Sequence, residues 1–236
     1  MSYGAIRGGV DQVSGILVVD KAKGMTSHDV IDVIRKRFGV KKAGHAGTLD
    51  PNATGVLVVL IGKATKLSQK LTGEDKKYRA VMKLGERTDS GDSTGKIISG
   101  GEVFCFPDQI KKVMQGFVGE IEQIPPMFSA KKVGGKRLYK AARRGEVVER
   151  APIKITIKSL EVISLNMPEV EFDVLCTKGT YIRQLADDIG EKLGCGAHLS
   201  ELRRISSGEF NVDGSVPAAE LEKMSKESFY ESVARI

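Results

Sequence analysis

The chain has 236 residues, 41% hydrophobic and 28% charged, a balance that excludes general disorder and fibrous repeats and leaves room for one large domain with an insertion or tail. No apolar run exceeds the six residues from Val56 to Ile61, so no membrane-spanning helix is expected. The net charge is +7, and the stretch from Lys131 to Arg150, with eight basic and two acidic residues, carries +6 of it. Basic charge concentrated in this way attracts phosphates or anionic lipid, although a solvated lysine-rich loop has the same composition. The glycine-rich start lacks a signal-peptide core, so a cytoplasmic, non-secreted protein is expected. Cys105, Cys176 and Cys195 are far apart with no Cys-x-x-Cys pair, which fits a reducing compartment and offers neither a zinc nor a disulfide framework.

In chain order, Gly15 to Asp20 reads as a buried strand, and Thr26 or Ser27 opens a helix with Val30, Ile31, Ile34 and Phe38 at helical spacing. Residues 43–55, AGHAGTLDPNATG, show no period and read as one long loop. The strand from Val56 to Ile61 follows, then a short helix near Ala64 to Leu71 and an alternating strand from Lys77 to Leu84. Gly85 to Lys96 reads as a second loop, and Pro107 starts a helix to about Gln115. Within the basic stretch, Gly134, Gly135 and Gly145 bracket a helical piece from Leu138 to Arg144. Ile153 to Ile163 and Val170 to Cys176 alternate like paired strands. Lys178-Gly179-Thr180 then caps a helix that Gly194 stops. Strands and helices without a βαβ cadence predict an α+β fold, with a central mixed, largely antiparallel sheet flanked by helices.

Several motifs lead nowhere. Gly62-Lys63-Ala64-Thr65 is no phosphate loop, because Leu57 stands where the first glycine belongs. His28, His45 and His198 lack metal-ligand spacing, so no metal is expected. The one plausible reactive constellation is His45, Thr48 and Asp50 among glycines, although Asp-Pro is also an ordinary turn opener. Arg183 lies in a helix first turn, where the dipole disfavours a cation unless a carboxylate or phosphate is near. Tyr78 and Leu202 read as core by default.

Five ordered segments nevertheless resemble one family: DKAKGMTS (20–27), GHAGTLDPNATG (44–55), KYR (77–79), KGTYIR (178–183) and HLSELRR (198–204). They look like the motifs of the bacterial TruB family, the tRNA pseudouridine-55 synthases, and the resemblance runs from about Gly15 to Phe210. Ala22 and Asn52 depart from the usual proline and leucine. The resemblance implies that Asp50 is the catalytic carboxylate and that Lys21, His45, Tyr78, Tyr181, Arg183 and Leu202 contact the substrate. Lys131, Lys132, Lys136, Arg137 and Arg143 would grip RNA phosphates from a thumb-like insertion at about 125–150. Residues 1–210 would form the catalytic domain. Residues 211–236 would form a helical tail in place of a PUA domain, with Leu221, Met224, Phe229 and Val233 on one apolar face.

The implied reaction turns uridine-55 of the tRNA TΨC loop into pseudouridine without any cofactor. The base must leave its stack, and Tyr78 would hold it by stacking through the rotation. One ionised carboxylate and exclusion of water suit an isomerase, whereas a glycosidase needs a carboxylate pair. Arg183 would help to keep Asp50 ionised. The basic insertion implies a stand-alone enzyme, a monomer acting on the TΨC arm of tRNA without guide RNA or membrane. An RNA-folding factor and a generic polyanion binder are the readings from other classes, and a tRNA-folding role is compatible with the first.

Overall fold

The structure, a computed structural model, describes residues 13–129, 131–142 and 144–235. The chain divides into two compact units, Met1–Glu74 with Arg203–Ile236, and Asp75–Leu202.

In the first unit, β1 (Gly15–Lys21) leads into α1 (Ser27–Phe38). Thr26 caps α1: its hydroxyl accepts from the Asp29 amide at 3.1 Å, and the Asp29 carboxylate accepts from the Thr26 amide at 2.8 Å. Gly39, at φ 71°, ends the helix in the left-handed conformation. The expected long loop begins instead with a strand, β2 (Ala43–Ala46), antiparallel to β3 (Thr54–Ile61) with His45 opposite Val59. A 3-10 turn (Gly62–Leu67) and α2 (Ser68–Thr72) replace the single short helix. From Val56 to Ile61 β3 is continuously apolar, because both its faces are covered there. Leu57, Val59 and Ile61 join Leu17, Val19 and the α1 face in one cluster, while Val56, Val58 and Leu60 join Ile16, Ala64 and Leu71 in another.

The second unit opens with β4 (Lys76–Leu84), and the expected loop after it holds β5 (Glu86–Thr88), paired with β6 (Ile97–Gly100). After α3 (Pro107–Gln115) and β7 (Gly119–Gln123) come a small hairpin, β8 (Lys132–Val133) and β9 (Lys136–Arg137), and α4 (Leu138–Ala142). The strands β10 (Ile153–Asn166) and β11 (Glu169–Cys176) pair with each other, and the antiparallel order is β4–β11–β10–β7. Helix α5 (Ile182–Leu193) packs against α3. Its N-cap is Tyr181 with no side-chain cap bond, because the Thr180 hydroxyl turns back to donate to the Thr177 carbonyl. The capping expected from residues 178–180 is therefore absent.

β12 (Ala197–Ser207) starts in the second unit and ends in the first, where Arg203 and Arg204 pair in parallel with Thr54 and Gly55 of β3. There follow β13 (Phe210–Asn211), β14 (Val216–Pro217), α6 (Ala218–Leu221), α7 (Lys226–Ser232) and β15 (Ala234–Arg235). The expected single apolar helix face is thus two short helices and a strand. Leu221, Phe229 and Val233 are buried, Met224 is partly so, and the Phe229 ring stacks on Phe38 with centroids 3.9 Å apart. The fold is α+β: a mixed, mostly antiparallel sheet with helices against it.

Candidate active site

In the first unit, the turn carrying Asp50 joins β2 to β3 and is tied down by side chains from outside it. The Ser27 hydroxyl accepts from the Leu49 amide at 2.9 Å and donates to the Leu49 carbonyl at 3.2 Å. Lys21 is wholly buried, and its ammonium donates to the carbonyls of Ala22 (2.9 Å), Met25 (2.7 Å) and Pro51 (3.1 Å). All three ammonium hydrogens are engaged, so Lys21, expected from the sequence as a substrate contact, braces this turn. The Gly24 amide donates to the same Pro51 carbonyl at 2.9 Å. From β12, the buried Arg204 guanidinium donates to the Val56 carbonyl at 2.7 Å and the Gly47 carbonyl at 3.0 Å, holding both ends of the turn. Arg203 grips Asp20 through two bonds of 3.0 and 2.7 Å. Gly55, at φ 95°, admits no side chain: a Cβ there would lie 2.2 Å from the Arg204 carbonyl oxygen.

The electrostatics follow from this burial. The Lys21 pKa is lowered to about 8, chiefly by burial and also by the charge of Arg204, against the upward pull of Asp50 and Asp29. The His45 imidazole is also held below its ordinary value, first by burial and then by the charges of Arg204 and His28, and its Nδ1 has no hydrogen-bond partner among the described residues. Asp50 itself is half-buried and its carbonyl accepts from the Ala53 amide at 3.1 Å; Thr48 is exposed.

In the second unit, Tyr78 lies buried on β4 opposite Val174, and Tyr181 and Leu202 are half-buried. The buried Gln123 side chain fixes the start of α5, accepting from the Tyr181 amide at 2.8 Å and donating to the Tyr181 carbonyl at 3.0 Å. The Arg183 guanidinium, 5% exposed, donates to the carbonyls of Ser90 and Phe128 at 2.8 Å each and lies 3.8 Å from the Asp92 carboxylate. Two carbonyls and one carboxylate thus compensate a cation at the positive end of a helix. Asp92 is held in turn by the Ser90 hydroxyl at 2.8 Å and the Thr94 amide at 2.9 Å. A cavity of about 330 Å³ opens beside Arg183, lined also by Ser90, Met127, Gln184 and the ion-paired Arg87 and Asp187; Tyr78, Tyr181 and Leu202 are not among its lining residues.

The basic segment is anchored by its helix. Leu138 and Ala141 are buried, and the amides of Leu138 and Tyr139 donate to the carbonyls of Lys131 and Ser129 at 2.9 and 3.0 Å. Lys131 is half-buried, Lys132 pairs through its backbone with Arg137 and Val133 with Lys136, and Arg143 lies outside the described residues. Two further cations of the stretch have partners: Arg144 pairs with Glu146 at 2.7 Å, and Arg150 donates to the Pro125 carbonyl at 3.2 Å. Among the described residues no group of carboxylate, histidine and cysteine side chains could hold a metal ion.

Sequence reasoning did not find Ser27, Asp92, Gln123 or Arg204 as site residues. Arg204 is the hardest to find, since an arginine in a charged run reads as surface. Its only signal was the position directly after Leu202 and Arg203 in the fifth motif.

Comparison with known families gives two matches that together run from residue 35 to residue 235. A family model described as "TruB family pseudouridylate synthase (N terminal domain)" matches residues 35–182, and one described as "tRNA pseudouridylate synthase B C-terminal domain" matches 183–235. The chain is 50% identical over 212 residues to the tRNA pseudouridine synthase B of Alkaliphilus oremlandii, covering 90% of this chain and 71% of that one. With the protein of the same name from Protochlamydia amoebophila it shares 51% identity over 210 residues, covering 89% and 80%. Among solved structures, a chain of a Cbf5–Nop10–Gar1 complex is similar with a TM-score of 0.74 and 33% identity, over 94% of this chain and 60% of that one. A chain of an H/ACA RNP bound to a substrate RNA containing 2′-deoxyuridine gives a TM-score of 0.70 and 31% identity, over 94% and 59%. The chain therefore spans about three fifths of the length of these two solved chains.

Proposed function

The chain belongs to the TruB family of pseudouridylate synthases, and from that premise we propose that it converts uridine-55 in the TΨC loop of tRNA to pseudouridine, with Asp50 as the catalytic carboxylate. The tRNA substrate rests on the names of relatives at about 50% identity. The observation that carries the assignment of Asp50 is its turn: three buried polar side chains, Lys21, Ser27 and Arg204, serve its main chain. Pre-organisation on that scale is what a reacting group requires and an ordinary Asp-Pro turn does not.

The chemistry needs few parts. The N1–C1′ bond breaks, the base turns, a C5–C1′ bond forms, and the C5 proton leaves as N1 gains one, so nothing is consumed. Both routes to bond breakage, attack of the carboxylate on C1′ or removal of the C2′ proton, start from ionised Asp50. Tyr78 is the stacking surface for the flipped base, with Tyr181 and Leu202 as apolar walls and Arg183 as the positive group of that pocket. His45, held neutral, fills the space that displaced nucleotides leave. Lys131, Lys132, Lys136, Arg137 and Arg143 meet phosphates, which position RNA without reading sequence. Lys21 and Arg204 act through the turn and not on the substrate.

A second reading, as the catalytic subunit of a guide-RNA particle, is favoured only by the solved chains at 31–33% identity. One experiment tests both. Incubated alone with unmodified tRNA and no cofactor, the protein should form pseudouridine at position 55, and Tyr78→Leu should lose more rate than Tyr78→Phe. Product that appears only with a guide RNA would favour the second reading, and product at another position would remove uridine-55.

A further inference from the structure

Cys105 and Cys195 are 90 positions apart in the sequence, yet the fold brings them together in the second unit. Cys105 lies in the extended segment between β6 and α3, and its thiol donates to the Leu193 carbonyl at 3.9 Å. Leu193 is the last residue of α5, Gly194 its left-handed cap, and Cys195 follows. The same segment approaches Cys195 a second time, since a Cβ on Gly101 would lie 3.5 Å from the Cys195 Cα. Phe104 and Phe106 face outward, 79% and 73% exposed, while Cys105 between them is turned inward and is half-buried; Cys195 is 4% exposed. Burial, and then the charge and hydrogen bond of the neighbouring Cys195 thiol, raise the Cys105 pKa. The third cysteine has a different environment: Cys176 is buried in the sheet, its thiol pushed up to about 11, chiefly by burial.

We propose that Cys105 and Cys195 form an oxidation site, a dithiol that a low-molecular-weight disulfide converts into an intramolecular cystine tying the segment ahead of α3 to the C-terminal end of α5. With glutathione disulfide as the oxidant the balance is complete. The more accessible Cys105, as thiolate, attacks one sulfur and releases one glutathione thiolate, leaving a mixed disulfide. Cys195 then loses its proton, attacks the Cys105 sulfur and releases the second glutathione. Two protein thiols are oxidised and one glutathione disulfide is reduced to two thiols. The raised Cys105 pKa makes the first step slow at neutral pH, so the pair closes under sustained oxidation and stays reduced in a reducing compartment.

The test uses the full chain, incubated with glutathione disulfide at pH 8 and then unfolded in denaturant for thiol counting. Free thiols should fall from three to one, and a tryptic digest should contain the Cys105 peptide linked to the Cys195 peptide, with Cys176 free. In Cys195→Ser the reaction should stop at one glutathione bound to Cys105, and in Cys105→Ser no adduct should form on Cys195. The oxidised wild-type protein should also unfold at a higher temperature, by roughly 5 °C or more, because a long loop is closed in the unfolded chain. Three free thiols after the incubation, a link to Cys176, or links only between separate chains would overturn the proposal. These readouts do not involve RNA, so they are independent of the function proposed for Asp50.

Discussion

The turn that carries Asp50 and the hairpin that carries the basic cluster are both glycine-containing, polar connections, and they are held in opposite ways. Three polar side chains converge on the first: the Lys21 ammonium, the Ser27 hydroxyl and the Arg204 guanidinium all end on its main chain or on the residues beside it. The second rests on two buried apolar side chains of α4, Leu138 and Ala141, and on main-chain bonds to Ser129 and Lys131. A group that must meet one atom needs its backbone fixed, whereas charges that meet phosphates through solvent tolerate displacement. Buried polar bracing against apolar footing is therefore a physical distinction between the two connections, the first suited to hold a reacting group and the second to tolerate displacement.

The largest expected effect breaks the comparison at its centre. Asp50→Asn keeps shape and removes charge, so pseudouridine formation should fall at least about 1,000-fold while RNA affinity stays within a few-fold, because phosphate contacts carry most of the binding. Single-turnover assays and filter binding on the same preparation check both halves. Measurable turnover near the wild-type rate would end the catalytic assignment.

Next come the braces. Arg204→Met leaves the Gly47 and Val56 carbonyls without their donor, and should lower kcat by roughly 10- to 100-fold with a small change in KM, since the loop and not the RNA surface is disturbed. Equal losses in kcat and RNA affinity would mean that Arg204 supports the whole unit and not the turn.

Lys21 adds a pH dependence that separates bracing from stability. Its folded-state pKa of about 8 lies below the ordinary 10.5, so between these values the unfolded chain holds a proton that the folded one has released. Stability contributed by this site therefore rises with pH from about 8 to about 10.5 and is lowest below 8. Activity should do the reverse. Deprotonation removes a donor and a charge from the Pro51 carbonyl, so kcat should decline through about pH 8 as stability relative to Lys21→Met increases. Denaturant titrations of both proteins across about pH 7 to 10, beside their pH–rate profiles, test this; parallel curves for the two proteins would exclude Lys21 as the titrating group.

The smallest effects belong to the hairpin. Neutralising Lys131, Lys132, Lys136, Arg137 and Arg143 together should weaken RNA binding and flatten the slope of log affinity against log salt by roughly 0.7–0.9 for each phosphate that is no longer neutralised. Arg144→Gln should change that slope by less than the value for a single phosphate, because Arg144 is already paired with Glu146. An unaltered slope in the fivefold variant would reduce the basic cluster to a solvated surface.

Much of the fold was legible because local signals agreed with tertiary ones. Thr26 announces α1, Pro107 announces α3, and the apolar run from Val56 to Ile61 announces β3. β2 was not legible: Ala43, Gly44, His45 and Ala46 have no strand propensity to speak of, and their conformation comes from pairing with β3. The Asp50 turn was legible through its motif, but its support was not. Lys21 and Arg204 are charged residues whose burial depends on carbonyls brought from elsewhere in the chain, and no periodicity records that. The same holds for Cys105 and Cys195, which sequence spacing set apart and the approach of their segments joins.

The double-sided burial of β3 has a kinetic consequence for amide hydrogens. A strand between two hydrophobic clusters, hydrogen-bonded to β1 on one edge and to β2 and β12 on the other, opens only when its unit opens. Its central amides should be among the last of the first unit to exchange with deuterium, and the slowest-exchanging stretch should begin a few residues after Asp50. The Asp50 turn would then be moored to the part of its unit that visits solvent least often, and its freedom to move would be set by the global opening of that unit and not by local fraying.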